Sequence, residues 1–309
     1  MLANFLGKSK PINFIILLSV FICLFLLEIL PLHLAQNFQL KLVFEITGLV
    51  ALFLLLFFFY NFVISKNNLT FDNSYSFFIF TVLLAFFLPT IKNHNALIII
   101  LLYILFLRKI YSLKSSKKIL QKLFDGGFWL SILFILEPFT AMFGILIYAA
   151  IILHQKPVIN SLIAPLVGFA CPLIVYATYC FWFDKLYVFT NLFYFNTFKS
   201  LVFYSENNFY WIIILIITFS LVSIIMKSPK TLSVNNSFKK SWLLLLVNFT
   251  IALFFTLLIP NKNGSEMLFL LFPASVISAN GIEMIKNNII KDVVLSLLII
   301  CLVVFLFIL

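Results

Sequence analysis

Residues Gly127–Leu153 read GFWLSILFILEPFTAMFGILIYAAIIL, an almost wholly apolar run with one carboxylate, Glu137, directly before Pro138. Proline removes a backbone donor and disfavours helix at the residue before it, so Glu137-Pro138 splits the run into pieces of about 10 and 15 residues. Asp125-Gly126-Gly127 opens the stretch. A spanning helix takes about 20 mostly apolar residues, and each piece is short of that. Two short helices that meet at a buried Glu-Pro turn are tolerated in a bilayer only where protein or water covers them. The pair is therefore expected inside a bundle, or as an ordinary tight helical hairpin.

On both sides the same apolar texture continues. Before the split pair come Ile12–Leu32, Leu42–Ile64, Tyr75–Leu88 and Ala96–Leu107. After it come Val158–Phe183, Phe209–Met226, Trp242–Ile259, Met267–Ile282 and Val293–Leu309. The long runs have helical length, and none shows the period-2 alternation of an outer-membrane barrel. The reading is a single all-α integral membrane domain over residues 1–309: a polytopic transmembrane helical bundle of about ten membrane-embedded helices, the split pair 127–153 included. Lys8 and Lys10 precede a first run too long for a secretory signal, which reads as a retained signal anchor.

Composition agrees. Of 309 residues, 64% are hydrophobic and only 10% charged. A soluble globule needs more solvating surface than that, so a soluble enzyme, a disordered chain and a disulfide scaffold are excluded. The four cysteines, Cys23, Cys171, Cys180 and Cys301, lie inside apolar runs without a C-x-x-C pair and read as packing residues. His33, His94 and His154 are scattered, so no metal site is expected.

The formal charge of +11 comes from 21 Lys+Arg against 10 Asp+Glu. In a soluble chain that excess suggests nucleic acid. Here it reads as topogenic, because cytoplasmic loops collect Lys and Arg, and no nucleic-acid partner is expected. With the N-terminus cytoplasmic and the split pair crossing twice, the outside segments hold only Lys41, Lys92, Lys185, Lys199 and Lys262. All the other basic residues, among them Lys8, Lys10, Lys114, Lys227, Lys230 and Lys291, fall inside. The C-terminus then lies outside. Residues 108–126 form a basic cytoplasmic loop, solvated or lying on anionic lipid. Residues 184–208, rich in Tyr and Phe, form an aromatic outside segment read as a short interfacial helix.

Ionisable groups near or inside a bilayer are few, and such groups are functional suspects. Glu28 lies five residues before His33, and Glu45 follows Lys41 by one turn. Two carboxylates at one outer cavity are suited to general-base work or to holding a cation. Charges dipping into the headgroups are the simpler reading. Lys92 and His94 sit in a tight outside turn. Lys262 lies in Asn261-Lys262-Asn263-Gly264-Ser265-Glu266, where it is placed to receive a phosphate from outside, or where the turn simply caps a helix. Glu137 marks a cavity in the split pair. No Walker loop, G-x-G-x-x-G, H-E-x-x-H or G-x-S-x-G motif is present, and no soluble domain exists to hold a nucleotide, so no cofactor is expected.

The order of these features resembles the membrane glycosyltransferases that draw on polyprenyl-phosphate donors, a GT-C-like bundle. The resemblance rests on the basic segment Arg108–Lys122, the short pair Phe128–Leu153, His154–Pro157, the outside aromatic stretch and Lys262 leading into Leu268–Pro273. It implies a lipid-phosphate partner, with Glu28 or Glu45 as catalytic base and Lys92, His94 and Lys262 as phosphate contacts. The family's paired acidic motif is missing between Glu28 and Glu45, as is its arginine. The opening Phe5-Leu6-Gly7-Lys8-Ser9-Lys10-Pro11-Ile12-Asn13 also resembles an uncharacterised family of bacterial multi-span inner-membrane proteins. Three functions stay open: a non-catalytic lipid-binding or complex-assembling membrane subunit, a polyprenyl-phosphate-dependent transferase, and a small-solute or lipid transporter built around Glu137.

Overall fold

A computed structural model of the chain describes residues 1–34, 40–88, 91, 94–154, 157–194, 204, 209–233, 237–260 and 262–308. Among them are thirteen α-helices and no strand. In chain order they are α1 (Leu2–Leu6), α2 (Pro11–Leu34), α3 (Leu40–Asn67), α4 (Tyr75–Ala85), α5 (His94–Tyr111), α6 (Ile119–Leu136) and α7 (Gly144–His154). Then follow α8 (Ile159–Trp182), α9 (Leu186–Asn191), α10 (Phe209–Leu232), α11 (Ser237–Leu258), α12 (Leu268–Met284) and α13 (Asn288–Ile308). The sequence expectation of an all-α polytopic bundle holds: nine helices are long and apolar enough to cross a membrane. Tyr75–Ala85 and Pro138–His154 are shorter apolar helices. That makes eleven apolar helices among the described residues, matching the nine runs and the split pair read from the sequence.

The burial pattern sorts the helices into a centre and a rim. Every residue of α4 is buried, and so is nearly all of α12. Both are apolar on all sides, the mark of a helix enclosed by other helices. The two pack on each other, and α10, α11 and α5 close around α12. At about 1.5 Å per residue α4 is too short to span a bilayer alone, and its enclosure covers its ends. On the rim, α2, α8, α10 and α13 leave Val20, Leu27, Leu166, Val175, Ile225 and Ile300 exposed. In a lipid solvent such faces carry no penalty.

Apolar packing alone does not separate one register from another in oil, and buried polar contacts supply that discrimination. The Tyr60 hydroxyl on α3 donates to the Ser76 carbonyl of α4 at 2.9 Å and meets the Ser275 hydroxyl of α12 at 2.7 Å. Its ring stacks on Phe80 at 3.8 Å. Tyr103 of α5 donates to Asn248 Oδ1 of α11 at 2.7 Å. Asn280 of α12 donates to the Leu69 carbonyl at 2.9 Å.

The split pair differs from expectation at its opening. Gly126 and Gly127 do not start it; they lie inside α6, which begins at Ile119. Gly127 allows α6 to touch α8: a Cβ there would stand 2.0 Å from the Pro165 carbonyl oxygen. Gly168 of α8 returns the contact, its Cβ position being 2.1 Å from the Phe124 carbonyl oxygen. The break falls at Glu137, extended at φ −142°, ψ 98°, before a 3₁₀ turn Pro138–Phe143. Within 108–126 the chain is helical to Tyr111, forms a 3₁₀ turn Ser112–Lys114 and is helical again from Ile119. Within 184–208 the described part holds the short helix α9 and Tyr204; residues 195–203 and 205–208 lie outside the described residues.

The two ends differ. One gathers the start of the chain, the turn 68–74, Lys114, Lys227, Glu283 and the start of α13, joined by Ser74 N–H to the Leu6 carbonyl at 2.9 Å and Ala3 N–H to Asp292 at 2.7 Å. The opposite end gathers Glu137, Tyr204, Lys262 and Glu266.

Candidate functional site

Of the residues singled out in the sequence, His94 lies on one side of α5 and Glu137 on the other. His94 opens α5 and faces α3: its Nε2 lies 3.5 Å from where a Cβ on Gly48 would stand. Glu45, three residues before Gly48, shares that helix face and is exposed. Glu28, on α2, is half-buried. Lys92 and the side chains of His33 and Lys41 lie outside the described residues. On the other side of α5, Ala96 and Ile99 line a small cavity with Glu137, Asn263, Ser265 and Glu266. Its volume is about 20 Å³, room for roughly one water. A sugar or an isoprenoid phosphate does not fit in it.

Lys262 is committed to structure. Its ammonium donates to the carbonyls of Thr256, Leu257 and Ile259 at 3.2, 3.0 and 3.2 Å. These are the carbonyls at the C-terminal end of α11, which lack helical partners and attract a cation. The same ammonium lies 5.1 Å from the centre of the Tyr204 ring. All three of its donors are used, and burial lowers its pKa. The turn that holds Lys262 is thus a helix cap, the simpler of the two sequence readings. Glu266 is equally engaged, accepting from the Tyr204 hydroxyl at 2.7 Å and from Asn263 N–H at 3.2 Å.

Glu137 is different. Burial holds its carboxyl up at about 6, with the nearby Glu266 pushing the same way and the Phe139 N–H pulling against both. A carboxyl raised in the folded state binds its proton more tightly there than in the unfolded chain. Its contribution to stability is therefore present below the ordinary value of 4.5 and lost as pH rises through 6. The detergent-solubilised protein is expected to lose on the order of 2 kcal/mol across that window. Thermal midpoints of wild type and Glu137→Gln at both limits measure this; an equal slope in the two proteins would assign the pH dependence elsewhere.

The basic end holds what the sequence reading missed. Lys227, near the end of α10, is buried and forms an ion pair with Glu283 of α12 at 3.2 Å, both side chains less than a tenth exposed. The other carboxylate oxygen accepts from Phe71 N–H at 2.8 Å and from the Asn73 amide at 2.7 Å. The rings of Phe71 and Phe238 flank the ammonium at 4.6 and 5.3 Å. The turn that delivers Phe71 begins at Asn68, whose φ of 49° suits Asn better than most residues. A cavity of about 420 Å³ opens beside the pair, walled by Lys114, Lys227, Lys230, Asn280 and Glu283 among others. In sequence Lys227 looks like one more inner-loop lysine. The signal that marks it is an opposite charge at matching depth on a distant span.

The fold defines the class: an all-α, multi-pass membrane protein. Over residues 1–309 the chain belongs to the DUF6427 family, described as a family of unknown function. No curated protein and no solved structure matches it.

Proposed function

We propose that this chain is a non-catalytic multi-pass protein of the bacterial inner membrane that holds an anionic lipid and, through its apolar rim, assembles with other membrane subunits. The observation that carries this reading is the basic cavity of about 420 Å³, whose wall holds three lysines against one carboxylate. That size matches sites that take a small organic group rather than a lone ion. Lys8, Lys10 and Lys291 share the same end of the bundle. By the bias of basic residues toward the cytoplasm, this is the inner face, with the N-terminus cytoplasmic and the C-terminus outside. The inner leaflet is where anionic headgroups are met.

The transferase alternative needs the Glu28–Glu45 region and Lys262 at one lipid phosphate. The commitment of Lys262 to α11 counts against it. Transport around Glu137 would need more room than its cavity offers in this structure.

Gentle detergent extraction followed by native mass spectrometry tests the reading. About one glycerophospholipid retained per chain is the expected result. A polyprenyl phosphate in its place would favour the transferase, and a lipid-free monomer would remove the proposal.

A further inference from the structure

Resting on the lipid-holding reading, we infer that the cavity at the basic end is a binding site for a phosphate ester. Lys114 and Lys230 are its ligand-contacting cations, and Lys227 is a fixed part of its wall.

The charges on the wall are not equivalent. Lys227 is matched by Glu283, so that pair adds no net charge to the cavity. Lys114 and Lys230 have no carboxylate partner among the described residues. The Lys114 ammonium donates only to the Asn67 carbonyl, at 3.0 Å, and is half-buried. Lys230 is exposed at the rim. Two unneutralised ammonium groups at one concave site select an anion, and ammonium groups serve phosphate as point charges.

The wall also calls for more than a bare anion. Asn280 lines the cavity and is fully buried. Its amide N–H groups donate to Leu69 and Val276, both at 2.9 Å, and its Oδ1 has no partner. A buried acceptor without a donor is costly. That oxygen has no exposed surface, so it belongs to the packed wall and places no demand on the ligand. Phe71, Phe238 and Met284 supply the apolar part of the wall. The ligand class that meets both demands, charge and apolar wall, is an anionic organic phosphate ester, such as a phosphoglycerol group. It is available either as a lipid headgroup or as a soluble metabolite.

The test uses the full chain in phosphatidylcholine nanodiscs, with the thermal midpoint read by intrinsic fluorescence. One arm replaces part of the lipid by phosphatidylglycerol; the other adds glycerol phosphate to the buffer. Each arm is run on wild type, on Lys114→Gln/Lys230→Gln, and on Lys117→Gln/Lys118→Gln as a control of equal charge change. The midpoint of wild type and of the control is expected to rise in at least one arm. In the Lys114→Gln/Lys230→Gln protein the ligand concentration needed should increase roughly tenfold or more, the size expected for losing a charge-assisted contact. A response to phosphatidylglycerol alone assigns the ester to the bilayer; a response to glycerol phosphate as well assigns it to the soluble phase. No response in either arm, or the same response in all three proteins, overturns the site. Lipid retained on purification without preference between anionic phosphatidylglycerol and zwitterionic phosphatidylcholine would overturn the selection of an anionic ester by Lys114 and Lys230 and leave the lipid-holding reading standing. A response to glycerol phosphate by a chain that retains no lipid would do the reverse.

Discussion

Lys227→Met is expected to destabilise the protein by about 3–5 kcal/mol, the range for removing one partner of a buried ion pair. The substitution roughly keeps the volume and leaves Glu283 charged, less than a tenth exposed, with only Phe71 N–H and the Asn73 amide to hold it. Lys227→Met/Glu283→Gln should recover most of the loss. Glutamine keeps an oxygen that accepts from Phe71 and Asn73, and no uncompensated charge remains. Denaturant titration of the solubilised protein completes the cycle. A single substitution that costs under about 1 kcal/mol would mean that water reaches the pair and that the wall of the basic cavity is softer than argued.

Gly127→Ala and Gly168→Ala are each expected to cost roughly 1–3 kcal/mol, since an added methyl in a packed contact forces backbone shifts. Here the obstacle is backbone: carbonyl oxygens at 2.0 and 2.1 Å, which cannot swing aside as a side chain does. Helices α6 and α8 must move apart, and α8 has few other neighbours. Gly126→Ala is the control. Its nearest atom is the end of the Ile110 side chain at 3.1 Å, and alanine favours helix by about 1 kcal/mol. Thermal midpoints of the three variants separate crossing from propensity. A Gly126→Ala protein as damaged as Gly127→Ala would refute the close crossing.

The sequence carries the helical class openly, because apolar runs of spanning length leave few other folds. It carries the break at Glu137-Pro138 as well, since proline acts on its own neighbours. Contacts between residues far apart in the chain are harder to read. Gly127 and Gly168 look like a loop opening and a stray helix glycine until α6 and α8 are laid side by side. Lys262 shows a second limit: a lysine in a turn between two spans suits a phosphate and a helix end equally well, and only the three carbonyl distances decide. Lys227 shows a third. Counting charges by loop says nothing of Glu283, 56 positions along the chain.

Helix α4 finishes at Ala85, and its chief neighbour α12 starts only at Leu268. A ribosome therefore delivers the middle of the bundle in two instalments, with the rim helices α8 and α10 made in between. Until the second arrives, the hydroxyl of Tyr60 lacks its Ser275 contact, and the early helices wait in an open arrangement for an insertase or a passing lipid to shield. Stalling or truncation before Leu268 should thus yield a product that degradation machinery recognises as incomplete.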